Sequence, residues 1–131
     1  METIIAPSLL AADFGNLERD CKMVNNSQAD WFHIDVMDGG FVPNISFGMP
    51  VIKSIAANAN KPLDVHLMIV QPERFIETFA ELGSDILTVH YEASTHLHST
   101  LQSIKDNEML SLIHISEPTR QAEISYAVFC L

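Results

Sequence analysis

The sequence predicts an α/β fold built as the first half of a TIM-type (β/α)8 barrel, and three observations support this prediction. Four short apolar segments rich in β-branched residues recur along the chain, and segments with helical periodicity separate them. Each β/α unit takes roughly 27 residues, so eight units would need about 220, at the compact end of the barrel range. Polar side chains lie at the carboxyl ends of three predicted strands, where barrel enzymes place their chemistry.

The four predicted strands are, in chain order, TIIAPSLL, DWFHIDVM, PLDVHLMIV and DILTVHYE. The predicted helices that separate and follow them cover residues 14–26, 49–58, 72–83 and 94–109. Pro50 and Pro72 suit the first turn of a helix, and Gly83 suits the position just after one. A flavodoxin-like open sheet is the competing arrangement, but its buried strands would be more uniformly apolar. We therefore expect a parallel sheet of about four β/α units.

Composition and charge narrow the classes of function. The formal net charge of −10 argues against binding nucleic acid or an anionic membrane, although a small phosphorylated substrate stays possible. No apolar run approaches the roughly 20 residues of a membrane span, and the N-terminus lacks the basic start of a secretory signal. Cys21 and Cys130 are too few for a disulfide framework, and Cys21 lies on an apolar helix side. We expect a cytoplasmic protein.

Side chains alternate across a strand, so the polar residues of the predicted strands share one face. That face carries Ile4, Ala6 and Ser8 on the first strand, His33, Asp35 and Met37 on the second, and Asp64, His66 and Met68 on the third. The other face is aliphatic and suits packing against helices. Two imidazoles and one carboxylate can hold a divalent transition metal, and a carboxylate there can act as a general base. We expect His33, Asp35 and His66 to converge.

Several of these residues have plain structural alternatives. A single inward histidine is more often a hydrogen-bonded core residue than a ligand, and it is the set of three that favours a site. Asp38 precedes two glycines and is better explained as a turn residue that binds its own backbone. Met37 and Met68 could fill the core or line a pocket above a metal. His90 ends the fourth predicted strand at a similar height and could support the site from outside.

Three motifs in the first 109 residues resemble the ribulose-phosphate 3-epimerase family, a family of metal-dependent (β/α)8 barrels. They are IIAPSLLAADF at 4–14, FHIDVMDG, FVPN and SFG across 32–48, and PLDVHLMI at 62–69. The resemblance implies that His33, Asp35 and His66 bind one divalent cation of the Zn, Fe, Mn or Co type. It implies that Asp35 is also an acid/base residue, and that Ser8, His66, Met37 and Met68 contact the substrate.

The implied reaction is an isomerisation, the interconversion of D-ribulose 5-phosphate and D-xylulose 5-phosphate by proton exchange at C3 through an enediolate. Family members are expected to form homo-oligomers. A second acid/base aspartate and a Gly-rich phosphate loop lie on later strands in the family, and this sequence contains neither. We therefore expect this chain to be inactive and to fold poorly, with an unpaired strand edge at DILTVHYE.

Other functions remain as alternatives. A sister epimerase could act on a hexulose 6-phosphate, and a non-enzymatic fragment could simply bind metal. Related decarboxylases and synthases carry a D-x-K-x-x-D motif, and Met37 stands where that lysine would be.

Residues 110–131 raise a separate question. LSLIHISEPTR resembles the translation of a transposase-type sequencing adapter, and ISYAVFCL resembles the translation of that adapter's outer end. Between them, Gln121 to Glu123 fill the three codons that an index would occupy. We expect residues 1–109 to be the native part and residues 110–131 to be an artefactual tail, which leaves His114 and Cys130 without a functional role. By pattern alone, SLIHIS at 111–116 could instead form a fifth strand.

Overall fold

A parallel four-stranded sheet forms the centre of the protein. The computed structural model describes residues 2–115. Its strands are β1 (Phe32–Met37), β2 (Leu63–Met68), β3 (Ile86–His90) and β4 (Leu110–His114), and they lie in the order β1-β2-β3-β4. The α-helices are α1 (Leu17–Asn25), α2 (Met49–Asn58), α3 (Ile76–Glu81) and α4 (Leu97–Asp106). Short 3-10 turns cover Leu9–Ala11, Phe14–Asn16, Pro72–Arg74 and Tyr91–Ala93.

All four helices contribute to one core on one face of the sheet. The aliphatic strand positions, such as Ile34, Val65 and Leu87, are buried there against Cys21 and Phe79 of the helices. A doubly wound open sheet would place helices on both faces, and its strands would not follow chain order. Sequential parallel strands with helices on one side are the arrangement of a barrel wall. The predicted α/β fold class is therefore confirmed.

The prediction of a full strand over TIIAPSLL, residues 3–10, was wrong. Residues 3–10 run alongside β1, but only one bridge forms, between Ser8 and His33. The His33 amide donates to the Pro7 carbonyl at 3.1 Å, and the Asp30 amide donates to the Ile5 carbonyl at 2.7 Å. Pro7 has no amide hydrogen to give, and Ser8 already caps the 3-10 turn that follows, so the ladder ends there.

The prediction that the strand at DILTVHYE has an unpaired edge was also wrong. β3 pairs on its far side with β4, from Ile86 opposite Leu110 to His90 opposite His114. Leu110–His114 thus lies where the pattern of SLIHIS at 111–116 allowed a fifth predicted strand. This placement does not bear on the origin of residues 110–131, and residues 116–131, with Cys130, lie outside the described part of the chain.

The helices follow their sequence signals with shifted ends. The helix predicted over 49–58 has those bounds, whereas α1 begins at Leu17 because Phe14 belongs to a separate 3-10 turn. The segment 72–83 divides into a 3-10 turn and α3, and Gly83 closes it with φ +99°, as its predicted capping role requires. No helix among residues 2–115 is long and apolar enough to cross a bilayer.

Candidate metal centre

The register between β1 and β2 assembles the site. His33 pairs with Asp64, Asp35 with His66, and Met37 with Met68. Because residues two apart share a face, these six side chains all lie on the face opposite the helices. β1 and β2 are buried along their whole length, so these polar side chains are enclosed by protein.

Asp35 lies between the two imidazoles. Its Oδ1 is 3.0 Å from Nε2 of His33 and 3.2 Å from Nδ1 of His66. Its Oδ2 accepts a hydrogen bond from the Ser8 hydroxyl at 2.8 Å. One ligand atom from each of His33, Asp35 and His66 can be chosen so that all lie within 4.8 Å of one another. The sequence-predicted convergence of these three residues is present in the structure.

The charges of this cluster depend on one another. Burial by itself would raise the pKa of Asp35, but hydrogen bonds from His33, His66 and Ser8 outweigh burial and hold the pKa well below its usual range. Burial by itself would lower the pKa of His33, but Asp35 and Asp64 outweigh it and raise the pKa. His33 therefore holds a proton strongly between two carboxylates, and a metal ion would compete with that proton.

A second group contacts the outer nitrogen of each imidazole. Asp64 Oδ2 lies 2.7 Å from Nδ1 of His33, and Nε2 of His90 lies 2.6 Å from Nε2 of His66. Burial, helped by the neighbouring His66 and His114, lowers the pKa of His90 to about 3, so this ring is neutral at physiological pH. Sequence reasoning placed Asp64 on the correct face without giving it a role, and only the register reveals its partner.

An apolar wall borders the polar cluster at the carboxyl ends of the strands. Met37, Met68 and Val42 are buried together, and Phe41 packs against them. The Phe41 ring also lies 4.9 Å from the ring of His90. The two methionines therefore form a small cluster of their own beside the site, separate from the main core beneath the helices.

Asp38 is a turn residue, as predicted. Its Oδ1 accepts the amides of Gly40 and Phe41 at 2.8 and 2.9 Å, and its Oδ2 accepts the amide of Val70 at 2.8 Å. These bonds tie the loop after β1 to the loop after β2. The carboxylate has no position in the metal cluster.

The donor set fits a divalent transition metal. Two imidazole nitrogens and one carboxylate oxygen are ligands that Zn, Fe, Mn and Co ions accept, and three protein ligands leave positions open for a substrate. Within residues 2–115, His33, Asp35 and His66 form the one such group of three or more candidate ligands. The outer contacts from Asp64 and His90 resemble the supports that metal-bound histidines commonly have.

Comparison with known proteins identifies a family for this chain. Residues 4–129 match the ribulose-phosphate 3 epimerase family. The chain belongs to this family. It is 51% identical over 105 residues to the ribulose-phosphate 3-epimerase of Synechocystis, a match that covers 79% of this chain and 46% of the relative. The Bacillus subtilis enzyme is 52% identical over 102 residues, covering 78% and 47%, and the Rhodobacter capsulatus enzyme is 41% identical over 124 residues, covering 95% and 54%.

This family member thus spans about half the length of the curated relatives it matches. Among solved structures, orotidine 5'-monophosphate decarboxylase from Methanocaldococcus jannaschii aligns with a TM-score of 0.58 and 16% identity over 91% of this chain and 56% of its own. The orotidine 5'-phosphate decarboxylase from Pyrococcus horikoshii aligns with a TM-score of 0.54 at the same identity, over 95% of this chain and 57% of its own. At such low identity these structures show a shared fold and nothing about the reaction.

Proposed function

We propose that this chain carries the metal-binding, proton-transferring half of a ribulose-phosphate 3-epimerase, which interconverts D-ribulose 5-phosphate and D-xylulose 5-phosphate. The observation that carries the proposal is the position of Asp35, with one oxygen facing two imidazoles and the other held by Ser8. Family membership supports the same reaction.

Asp35 is suited to exchange the C3 proton on one face of the substrate, as one of the two acid/base groups that inversion at this carbon requires. Its low pKa keeps it ionised at neutral pH, so it is ready to accept a proton but is a weak base. A divalent cation held by His33, Asp35 and His66 would stabilise the negative charge that develops on the substrate oxygens. Ser8 holds Asp35 through Oδ2, and with His66 it would contact the substrate beside that carboxylate.

Met37 and Met68 would shield the reacting carbon. Both side chains are buried next to the polar cluster, where an apolar wall keeps water from a carbanion-like centre. Each thioether is also flexible enough to adjust to a sugar chain. We propose that these two residues, with Ser8 and His66, form the substrate-facing surface.

A chimera tests the function of this half. Residues 1–109 would be joined to the second half of the Synechocystis relative, and C3 exchange would be followed by NMR in deuterated water. We expect turnover, and we expect Asp35→Asn to reduce it by about 100-fold or more, the range of a lost acid/base group. Asp20→Asn is the control, because Asp20 is a buried carboxylate of α1 outside the site. Equal turnover by Asp35→Asn and Asp20→Asn would refute the role of Asp35.

Metal binding by the 131-residue chain is tested separately, by zinc titration. We expect weak but measurable binding, since three ligands are present, and we expect His66→Ala to abolish it. His98→Ala is the matched control, because His98 is an exposed histidine on α4. Identical titrations for the two variants would exclude the proposed metal site. Metal binding without chimera activity would instead support the non-enzymatic alternative.

We also propose that residues 1–109 are the family segment, that residues 110–131 are a translated adapter, and that the 131-residue chain does not epimerise its substrate alone. The nucleotide sequence around codon 110 decides the first two points. A clean genomic continuation encoding Leu110 to Leu131 would refute them. Turnover by the 131-residue chain close to that of a full-length relative would refute the third.

A further inference from the structure

The two imidazole ligands are each held from behind by a different buried group. His33 and His66 are 1% and 0% exposed, and Asp64 and His90 are 7% and 0% exposed. The outer contacts of 2.7 and 2.6 Å are shorter than the contacts of 3.0 and 3.2 Å that the same two rings make with Asp35. The position of the hydrogen in each outer contact decides which ring nitrogen can bind a cation.

Asp64 determines the state of His33. A carboxylate only accepts hydrogen bonds, so the nitrogen 2.7 Å from Asp64 Oδ2, Nδ1 of His33, must carry a hydrogen. Nε2 also faces a carboxylate, that of Asp35, but through a longer contact, so the proton that the ring gives up to a cation leaves from Nε2. The nitrogen that loses it is the one that faces Asp35 at 3.0 Å. Asp64 thus directs the free electron pair of His33 into the site.

His90 determines the state of His66 in a different way. Two imidazole nitrogens 2.6 Å apart share one hydrogen, so one ring donates and the other accepts. When a neutral His66 donates its Nδ1 hydrogen to Asp35 Oδ1 in the absence of a cation, His90 donates its Nε2 hydrogen to His66. With a cation, Nδ1 of His66 must be free of hydrogen, so His66 donates from Nε2 and His90 accepts.

The change between these two states conserves protons. Each ring carries one hydrogen before and after: on His66 it moves from Nδ1 to Nε2, and on His90 from Nε2 to Nδ1. The Nδ1 atom of His90 lies 3.9 Å from the Glu92 carboxylate, which favours a hydrogen there. The rings of Phe41 and His114, 4.9 and 4.7 Å from that of His90, hold its plane.

We propose that Asp64 and His90 are positioning residues that direct the free electron pairs of His33 Nε2 and His66 Nδ1 towards the cation. This inference rests on the proposed metal site and goes beyond it. The two residues support their rings differently, because Asp64 supplies a negative charge and His90 supplies only a neutral acceptor. The proposal predicts that zinc binding moves a hydrogen on His66 from Nδ1 to Nε2.

The test combines zinc affinity with nitrogen NMR of the ¹⁵N-histidine-labelled 131-residue chain. In the wild-type chain we expect zinc to shift the His66 hydrogen to Nε2 while His33 keeps its hydrogen on Nδ1. We expect Asp64→Asn, which removes the negative charge behind His33, and His90→Phe, which removes the acceptor behind His66, each to weaken zinc binding about 10–100-fold. His90→Gln should bind like wild type, because its amide oxygen can accept from His66. Asp20→Asn serves as the control outside the site.

The outcomes separate the two proposals. If Asp64→Asn and His90→Phe both bind zinc with wild-type affinity, the positioning role is wrong. It is also wrong if the nitrogen NMR of the zinc-loaded wild-type chain shows the hydrogen still on Nδ1 of His66. The latter measurement needs no variant and stands even if a substitution prevents folding. A wild-type chain that binds no zinc at all would instead overturn the metal site itself, and this inference with it.

Discussion

Asp35 and His33 shift each other's pKa in opposite directions. Hydrogen bonds from His33, His66 and Ser8 outweigh burial and lower the pKa of Asp35, and Asp35 and Asp64 together outweigh burial and raise the pKa of His33. For His33 the raised pKa means that its stabilising effect is fully present below the ordinary value of 6.5 and is lost as pH rises through the folded pKa. A cation must displace the same proton.

This coupling predicts the pH dependence of metal binding. As pH rises through the folded pKa of His33, proton competition falls, so the apparent zinc affinity of the 131-residue chain should increase. Calorimetry in buffers of different ionisation enthalpy should detect release of about one proton for each zinc below that pKa. An affinity that is constant with pH, with no proton released, would contradict the placement of His33 Nε2 as a ligand.

Gly39 gives a second residue-scale prediction. Its φ is +74°, and a Cβ there would lie 2.9 Å from Cγ1 of Ile45, so Gly39→Ala meets both backbone strain and a clash. We expect a loss of about 1–3 kcal/mol in the free energy of unfolding, measured by urea denaturation. Gly40→Ala is the control, because its Cβ would make only ordinary contacts at 3.5 Å. Equal stability of the two variants would show that this loop is not held as described.

Among the secondary-structure elements, Lys61 connects the end of α1 to the start of β2. Its Nζ donates to the carbonyls of Val24, Ser27 and Ala29 at 2.9, 3.0 and 2.5 Å. These carbonyls belong to the last turn of α1 and to the loop after it. One ammonium group therefore holds the end of α1 and the loop after it to the segment before β2.

Replacing Lys61 should loosen this junction. Lys61→Met keeps the apolar stem but removes all three hydrogen bonds, and we expect a loss of about 1–2 kcal/mol in the free energy of unfolding, since Lys61 is only half-buried. Thermal and urea denaturation would measure it. Lys53→Met on α2 is the matched control, because Lys53 is exposed. If Lys53→Met lowers the free energy of unfolding as much as Lys61→Met does, the three hydrogen bonds of Lys61 do not stabilise this junction.

In the molecule as a whole, one face of the sheet is covered by helices and the other carries the site. β4 is the last strand of this sheet, and its far edge has no strand partner among residues 2–115. Leu110 and Leu112 share the face of the metal cluster and are 67% and 49% exposed. An exposed apolar edge strand favours association with other chains.

The exposed edge predicts self-association of the 131-residue chain. A charge in the middle of β4 should reduce it, so Leu112→Lys should lower the average mass seen by light scattering as concentration rises. Met23→Lys is the control, because Met23 is a 64% exposed apolar residue on α1 away from the edge. If Met23→Lys has the larger effect, the edge is not the surface of association. Whether full-length family members are homo-oligomers stays a separate prediction.

The alternation of elements, the two-residue periodicity of the strands and the turn at Asp38 depend on neighbours in the chain, so the sequence alone determined them. It also determined that His33, Asp35 and His66 share a face, since side-chain direction in a strand is local. Only the tertiary structure decided that Asp64 contacts His33, that His90 contacts His66, and that residues 3–10 make a single bridge. Those contacts follow from the register of strands far apart in sequence, which the packing of the whole sheet sets.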